Sequence, residues 1–173
     1  PAEPDNPFLV CAPAASGAPG AASTTTLSYR NSPVVLATFA GNRLTREATR
    51  AYQAEFGIGV MDWRMLVMLT RAPGSGVSDA ARTIGIDKAA VSRSLTRLEQ
   101  KGLVAADPDS GSRHRKRWVL TGDGIQLHAR MLEASLARQK RLLTGFSSDE
   151  VLQFTDYLSR FLGNLDGMDD NLP

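Results

Sequence analysis

One segment of this chain, from 77 to 121, carries the spacing that most constrains its fold: VSDAARTIGIDKAAVSRSLTRLEQKGLVAADPDSGSRHRKRWVLT. Counted from Val77, the small residue Ala81 stands at position five, Gly85 at position nine and the apolar Val91 at position fifteen. Two helices that cross closely need a small residue at their contact, a turn residue that tolerates left-handed dihedral angles, and an apolar side chain beneath the second helix. The spacing therefore predicts a helix-turn-helix.

A basic hairpin is predicted directly after the second helix of this motif. Apolar runs at 103–104 and 118–120 flank a loop that has turn residues at 107–111 and basic residues at 113 and 115–117. Two short strands joined by such a loop form a hairpin with a positively charged tip, a wing. The predicted fold class is mainly α with a small β-wing: a winged helix-turn-helix domain plus a helical dimerisation region.

The second helix of the motif, predicted at 88–101 with Asp87 as its N-cap, is expected to read duplex DNA. A helix in the major groove uses its N-terminal residues on base edges and its flanks on phosphates. Arg93 is the candidate for a guanine contact, because a planar guanidinium matches O6 and N7 together. The alternative, an ion pair of Arg93 with Glu99 or Asp79, stays open. The predicted DNA-binding residues are Lys88, Ser92, Arg93, Thr96 and Arg97 in the helix and Arg113, Arg115, Lys116 and Arg117 in the wing.

The positive charge of the chain is concentrated on this block. The net charge is only +2, yet the stretch 82–117 holds nine Lys or Arg against four Asp or Glu, and from 145 onward one Arg faces six acids. Such clustering is typical of a phosphate-facing surface. A solvated basic face would explain the charge alone, but its coincidence with the helix-turn-helix favours duplex DNA as the partner.

Composition excludes several other classes of protein. An apolar content of 42% over 173 residues is enough for the core of one ordinary domain. A single cysteine excludes an internal disulfide, no apolar run approaches the roughly 18 residues of a membrane span, and the first residues do not resemble a signal peptide. A cytoplasmic, nucleoid-associated protein without a membrane partner is expected. The two histidines stand in no metal-spaced cluster and no phosphate-binding glycine loop is present, so no enzyme, metal or cofactor is predicted.

The rest of the chain is expected to contain an arm and a set of dimerisation helices. Residues 1–31 are rich in Pro, Ala and Thr and are predicted to be either a disordered tail or an arm docked on another surface. The expected domain covers 32–166. Within it the winged helix-turn-helix occupies 57–121 and the dimerisation helices 32–56 and 122–166, and an acidic tail follows at 167–173.

The last helix carries apolar residues at alternating steps of three and four, which is typical of a seam that packs on another helix. A lone helix with this seam would expose a large apolar patch, so we expect a homodimer. The predicted dimerisation residues are Leu36, Phe39, Val151, Phe154, Leu158 and Phe161.

Residues 32–165 resemble a MarR-family transcriptional regulator. The motifs that carry the resemblance are NRLTREATRAYQAEFG, WRMLVML, DKAAVSRSLTRLEQKGLV, the wing, and LTGDG closing it. The resemblance implies a homodimer of winged-helix domains, a pseudo-palindromic operator, and repression relieved by a small ligand, often an aromatic or phenolic acid. Members usually carry Asp-x-Arg in the wing, and those positions hold Ser112 and His114 here. We therefore expect Arg113 or Arg115 to substitute.

In members that answer aromatic acids, the first helix supplies an arginine to the ligand carboxylate. The resemblance implies Arg43 for this role, with Trp63 as an apolar wall. Pairing of Arg43 with Glu47 on a solvated helix face is the alternative. Two other functions stay open: a thiol-based redox sensor acting through Cys11, and a winged-helix interaction module that does not bind DNA.

Overall fold

The computed structural model describes residues 5–12, 23–107 and 116–168, which form six helices and two antiparallel sheets of two strands each. In chain order the elements are β1 (Leu9–Ala12), β2 (Thr24–Leu27), α1 (Pro33–Phe56), α2 (Val60–Arg71), α3 (Val77–Ile84), α4 (Lys88–Gln100), β3 (Val104–Ala106), β4 (Trp118–Leu120), α5 (Gly122–Leu142) and α6 (Ser148–Asp166). This mainly helical fold with a small β-wing confirms the predicted fold class.

The helix-turn-helix has the geometry that its spacing predicts. Ala81 is buried where α3 approaches α4, and Gly85 ends α3 with a φ of +70°, which a residue with a Cβ rarely adopts. Val91 is fully buried beneath α4. The core continues into α2, whose Met65 and Leu66 are completely buried because this helix lies between α4 and the long helices α1 and α5.

The wing is anchored to the body by a third short segment. β3 and β4 pair with Val104 opposite Leu120, and a β-bridge joins Trp118 to Ser75 in the loop between α2 and α3. The N–H of Gly74 donates to the carbonyl of Trp118 at 2.9 Å. The base of the wing is therefore fixed, while the predicted wing-tip residues Arg113 and Arg115, with Ser112 and His114, lie outside the described residues.

The segment that follows α4 lies close to the start of α5. The hydroxyl of Thr121 accepts from the N–H of Gly124 at 3.1 Å and donates to the carbonyl of Gly102 at 2.6 Å. A Cβ on Gly124 would overlap the carbonyl oxygen of Leu103. Glycine is therefore needed here for close approach of two backbones, which explains the LTGDG motif.

The N-terminal arm contains a structure that its composition did not predict. β1 and β2 form a hairpin in which Leu9 faces Leu27 and Cys11 faces Thr25. β-Branched threonines favour extended backbone, and three of them stand in a row at 24–26. The described part of the arm is thus a hairpin rather than a disordered tail, and the docked arm remains a prediction.

Helix α6 begins with the predicted capping box. The Glu150 N–H donates to the Ser147 hydroxyl, and the Glu150 carboxylate accepts from the Ser147 N–H at 2.7 Å, which holds the pKa of Glu150 below its usual value. None of the α6 side chains that the structure describes is buried. Among the described helices, none combines the length and apolar character needed to cross a lipid bilayer.

Candidate nucleic-acid interface and ligand cleft

The exposed face of α4 carries the five DNA-binding residues predicted on the recognition helix. Asp87 caps this helix by accepting the N–H of Ala90 at 2.8 Å, and Val91, Leu95 and Leu98 are buried on its inner side. The outer, exposed side chains are Lys88, Ser92, Arg93, Thr96 and Arg97. A helix anchored on one side and polar on the other has the form of a major-groove reader.

The guanidinium of Arg93 is available for an outside partner. Both carboxylates considered for it are engaged elsewhere: Glu99 binds Lys116, and Asp79 binds Arg82 at 3.0 Å. Within the described residues Arg93 has no ion pair. Neither carboxylate is therefore left for the internal salt bridge that was the alternative role of Arg93.

Arg97 differs from Arg93, although both belong to the exposed face. Its guanidinium donates at 2.6 Å to Asp62 of α2, whose side chain is only 7% exposed, and the buried Ser94 hydroxyl donates to the same oxygen at 2.5 Å. Arg97 thus joins α4 to α2 within the protein. Its predicted contact with phosphate would have to share or replace this ion pair.

The base of the wing also uses one of its predicted cations internally. Lys116 Nζ lies 2.8 and 2.9 Å from the two carboxylate oxygens of Glu99 and 4.1 Å from the ring centroid of Trp118. Lys116 thus ties the wing to α4, and its predicted contact with phosphate would have to replace this ion pair. Arg117 is exposed and has no ion pair in the described part of the chain.

A cleft of about 310 Å³ lies between α1, α2 and α5. Trp63 forms part of its wall, as predicted for the ligand site, and Leu44 of α1 also lines it. Arg43, the predicted anion partner, is exposed on α1 and is not among the lining residues. The cations that line the cleft are instead Arg64 of α2 and Arg138 of α5.

These two guanidiniums are poorly neutralised. Arg64 donates only a long hydrogen bond, 3.4 Å, to the hydroxyl of Thr45, and Arg138 lies 5.8 Å from the ring centroid of Tyr52. No carboxylate lines the cleft, and neither arginine forms an ion pair within the described residues. An apolar wall with two unneutralised cations suits a small organic anion.

The Trp63 side chain is held in place by aromatic neighbours. His128 of α5 stacks on it with ring centroids 5.2 Å apart and an interplanar angle of 28°, while Tyr52 contacts it edge-on at 6.3 Å. Partial burial lowers the pKa of His128, which favours the neutral ring. A second cleft of about 630 Å³, between α2 and α3, has Trp63 and Arg64 in its lining too.

Four of the six predicted dimerisation residues are exposed to solvent in the single chain. Leu36 and Phe39 of α1 and Phe154 and Leu158 of α6 are between 39% and 47% exposed, and Val151 and Phe161 are partly buried. This amount of exposed apolar surface on α1 and α6 favours a cover from outside the chain.

Sequence reasoning missed four residues of these sites: Asp62, Ser94, Arg64 and Arg138. One signal was present, because Asp62 interrupts the otherwise apolar run that α2 buries. A carboxylate there requires a donor. The donors, however, are 32 and 35 residues away along the chain, and no local pattern names them.

The fold is that of a winged-helix protein with an exposed cationic face on α4, and comparisons with known proteins agree. A model described as "MarR family" matches residues 56–113. The transcriptional activatory protein BadR of Rhodopseudomonas palustris is 29% identical over 133 residues, or 75% of each chain.

Solved structures extend the likeness to the whole domain. A MarR/EmrR family transcriptional regulator from Acinetobacter sp. ADP1 is 27% identical with a TM-score of 0.76, over 82% of this chain and 100% of that one. The S. aureus MepR–DNA complex is 23% identical with a TM-score of 0.68, over 80% of this chain and 99% of that one, and shows the shared fold. The match to the family model and these likenesses confirm the resemblance to MarR-family transcriptional regulators. The proteins that it resembles are transcriptional regulators, which are not enzymes, in agreement with the expectation from the sequence.

Proposed function

We propose that this protein binds duplex DNA sequence-specifically as a homodimer, and that a small organic anion bound in the cleft between α1, α2 and α5 changes that binding. The observation that carries the first part is the free guanidinium of Arg93 at the centre of the exposed face of α4. Each recognition helix would enter a major groove. A pseudo-palindrome with half-sites roughly one helical turn, about 10 bp, apart fits a two-fold symmetric dimer.

Replacing Arg93 by Ala is expected to cost roughly 1–3 kcal/mol of binding to a duplex selected from a random pool, because a bidentate guanine contact is lost. Preference at one base pair should relax. The measurement is fluorescence anisotropy on the selected duplex, its single-base variants and random duplex. Lys101→Ala, another exposed cation but at the end of α4, is the matched control and should behave as wild type.

Equal losses on selected and random duplex would make Arg93 a phosphate contact instead. If wild type binds neither kind of duplex at low salt, the protein is a winged-helix interaction module, and the DNA proposal is wrong.

The homodimer is proposed from the exposed apolar surface of α1 and α6. An isologous interface buries the same patch on both copies, so a single seam on α6 serves both partners. Dimerisation would also set the distance between the two recognition helices. A ligand in the cleft could act only by preferring one such spacing over another.

The chemistry of the cleft favours an aromatic carboxylate. Trp63 and Tyr52 line the cleft with aromatic rings, and Arg64 and Arg138 offer guanidiniums without acidic partners among the described residues. A volume of about 310 Å³ is at the small end for ligand pockets, which suits a single substituted ring. Arg43 could bind the anion only if the Arg43 side chain of the second copy reached this cleft in the dimer.

Arg138→Ala is expected to weaken an active aromatic acid by roughly tenfold or more, since a charge-assisted hydrogen bond contributes about 1.5–3 kcal/mol. The measurement is titration of hydroxybenzoates and hydroxycinnamates against the protein–DNA complex. Arg43→Ala, an exposed arginine outside the lining, is the matched control and should respond as wild type. The opposite pattern would return the anion role to Arg43, and an inactive series on wild type would sink the proposed ligand class.

The sign of regulation is proposed to be repression released by the ligand. The relative BadR is described as an activatory protein, so the two signs must be separated by experiment. A reporter placed behind the selected duplex should rise in expression when the active acid is added or Arg93 is replaced. A fall in both cases would identify an activator.

A further inference from the structure

The N-terminal hairpin β1–β2 is too small to be stable unless another element packs on it. Two-stranded hairpins in water are marginal without a covering element. Val10 on one face and Leu27 on the other are 44% and 52% exposed. From 6 to 12 and from 23 to 29 the chain has no charged residue, so both edge strands lack the lysines that usually block pairing with another chain.

The adjoining half of α1 has the same character. No charged residue lies between Arg30 and Arg43. Val34 and Phe39 are 57% and 39% exposed, although they lie roughly 140° apart around the helix. A helix that is apolar on more than one side is normally buried on those sides. The buried residues of α1, Ala48 and Tyr52, belong instead to its C-terminal half.

Hydrogen bonds and a ring contact connect the end of the hairpin to the N-terminal half of α1. The N–H of Ser28 donates to the carbonyl of Phe8 at 2.7 Å, and its carbonyl accepts from the N–H of Ser32, the N-cap of α1, at 3.2 Å. Tyr29 then packs edge-on against Phe39 with ring centroids 5.2 Å apart. The hairpin is therefore tethered, through Ser28 and Tyr29, to the part of α1 that the proposed dimer uses.

We propose that the β1–β2 hairpin packs against a second copy of this chain and forms an extension of the dimer interface. The inference rests on the proposed homodimer. The second copy is the occupant because Tyr29, which follows β2, packs on Phe39, and Phe39 is one of the residues predicted to form the dimer interface. An uncharged surface also selects an apolar partner rather than DNA. In a two-fold symmetric dimer, the hairpin of each copy packs against the other copy.

The test uses the full chain with Val10→Lys and, separately, Leu27→Lys, which place one charge on each face of the hairpin. Sedimentation equilibrium should show a dimer dissociation constant raised at least tenfold by one or both. Gln100→Lys is the control for the added charge: Gln100 is exposed at the end of α4, outside the arm and the dimerisation helices, and its replacement should leave the dimer unchanged.

A second measurement covers the case in which a lysine simply unfolds the hairpin. Amide hydrogen exchange is compared between wild type and the seam variant Phe154→Glu/Leu158→Glu, made monomeric by charge on α6. Exchange of the hairpin amides should accelerate at least tenfold in the monomer, while α2 stays protected.

The outcomes separate the two proposals. A wild-type dimer whose dissociation constant is untouched by both lysines overturns the hairpin inference and leaves the homodimer standing. Hairpin protection that persists in the monomeric variant overturns it as well, because the hairpin is then covered by its own chain. A monomeric wild type overturns the homodimer and the inference together.

Discussion

A chain carrying Phe154→Glu and Leu158→Glu is expected to sediment as a monomer at micromolar concentration and to bind its selected duplex roughly a hundredfold more weakly, or worse. The two side chains lie one turn apart on α6 and are 45% and 40% exposed in the single chain. Four carboxylates would meet across a two-fold seam, which is repulsive and must be desolvated. Loss of the dimer removes the second half-site contact, whose effective concentration contributes about 10²–10⁴ in affinity.

The matched control adds the same two charges away from the seam, at Gln153 and Ser159 of α6. Both are exposed, so Gln153→Glu/Ser159→Glu should remain dimeric and bind the duplex as wild type does, apart from a small loss from added negative charge. If the seam variant stays dimeric, α6 does not form the interface. If the seam variant is monomeric but binds the duplex as tightly as wild type, one winged helix suffices for the selected site.

Arg97→Ala is expected to lower the free energy of unfolding by about 3 kcal/mol, at the lower end of the range for removing one partner of a buried ion pair. The reason is the Asp62 carboxylate, which would stay buried with the Ser94 hydroxyl as its one remaining side-chain donor among the described residues. The half-exposed Arg97 side chain explains why the larger values are not expected. Urea denaturation at one fixed protein concentration measures the change, since a dimer's stability depends on concentration.

Arg93→Ala is the matched control on the same helix face, and its free energy of unfolding should change by no more than about 0.5 kcal/mol. A double-mutant cycle adds a sharper check: Asp62→Asn should recover much of the loss in the Arg97→Ala background, because the buried charge is gone. A negligible loss of stability, together with a flatter dependence of DNA affinity on salt, would return Arg97 to the phosphate role that the sequence predicted.

Local patterns determined most of the fold from the sequence. The helix-turn-helix follows from Ala81, Gly85 and Val91, and the ends of the helices follow from caps such as Ser32 and Ser147. Each of these signals works through backbone groups within a few residues, or through one helix period, so no knowledge of distant partners is needed. The exposed face of α4 is fixed in the same way, because burying its apolar stripe leaves the opposite face exposed.

Only the tertiary structure decided which of the predicted DNA-binding cationic side chains form ion pairs within the described part of the protein. Arg93 and Arg97 look alike in the sequence, but the crossing of α2 under α4 places Asp62 beside Arg97 alone. The same applies to the cleft, where Arg64 and Arg138 come from different helices and converge only after packing. The N-terminal hairpin is a third case, since composition reports a segment's apolar content and not which strand it pairs with. Long-range pairing depends on how helices and strands cross, and that geometry is set by the whole core.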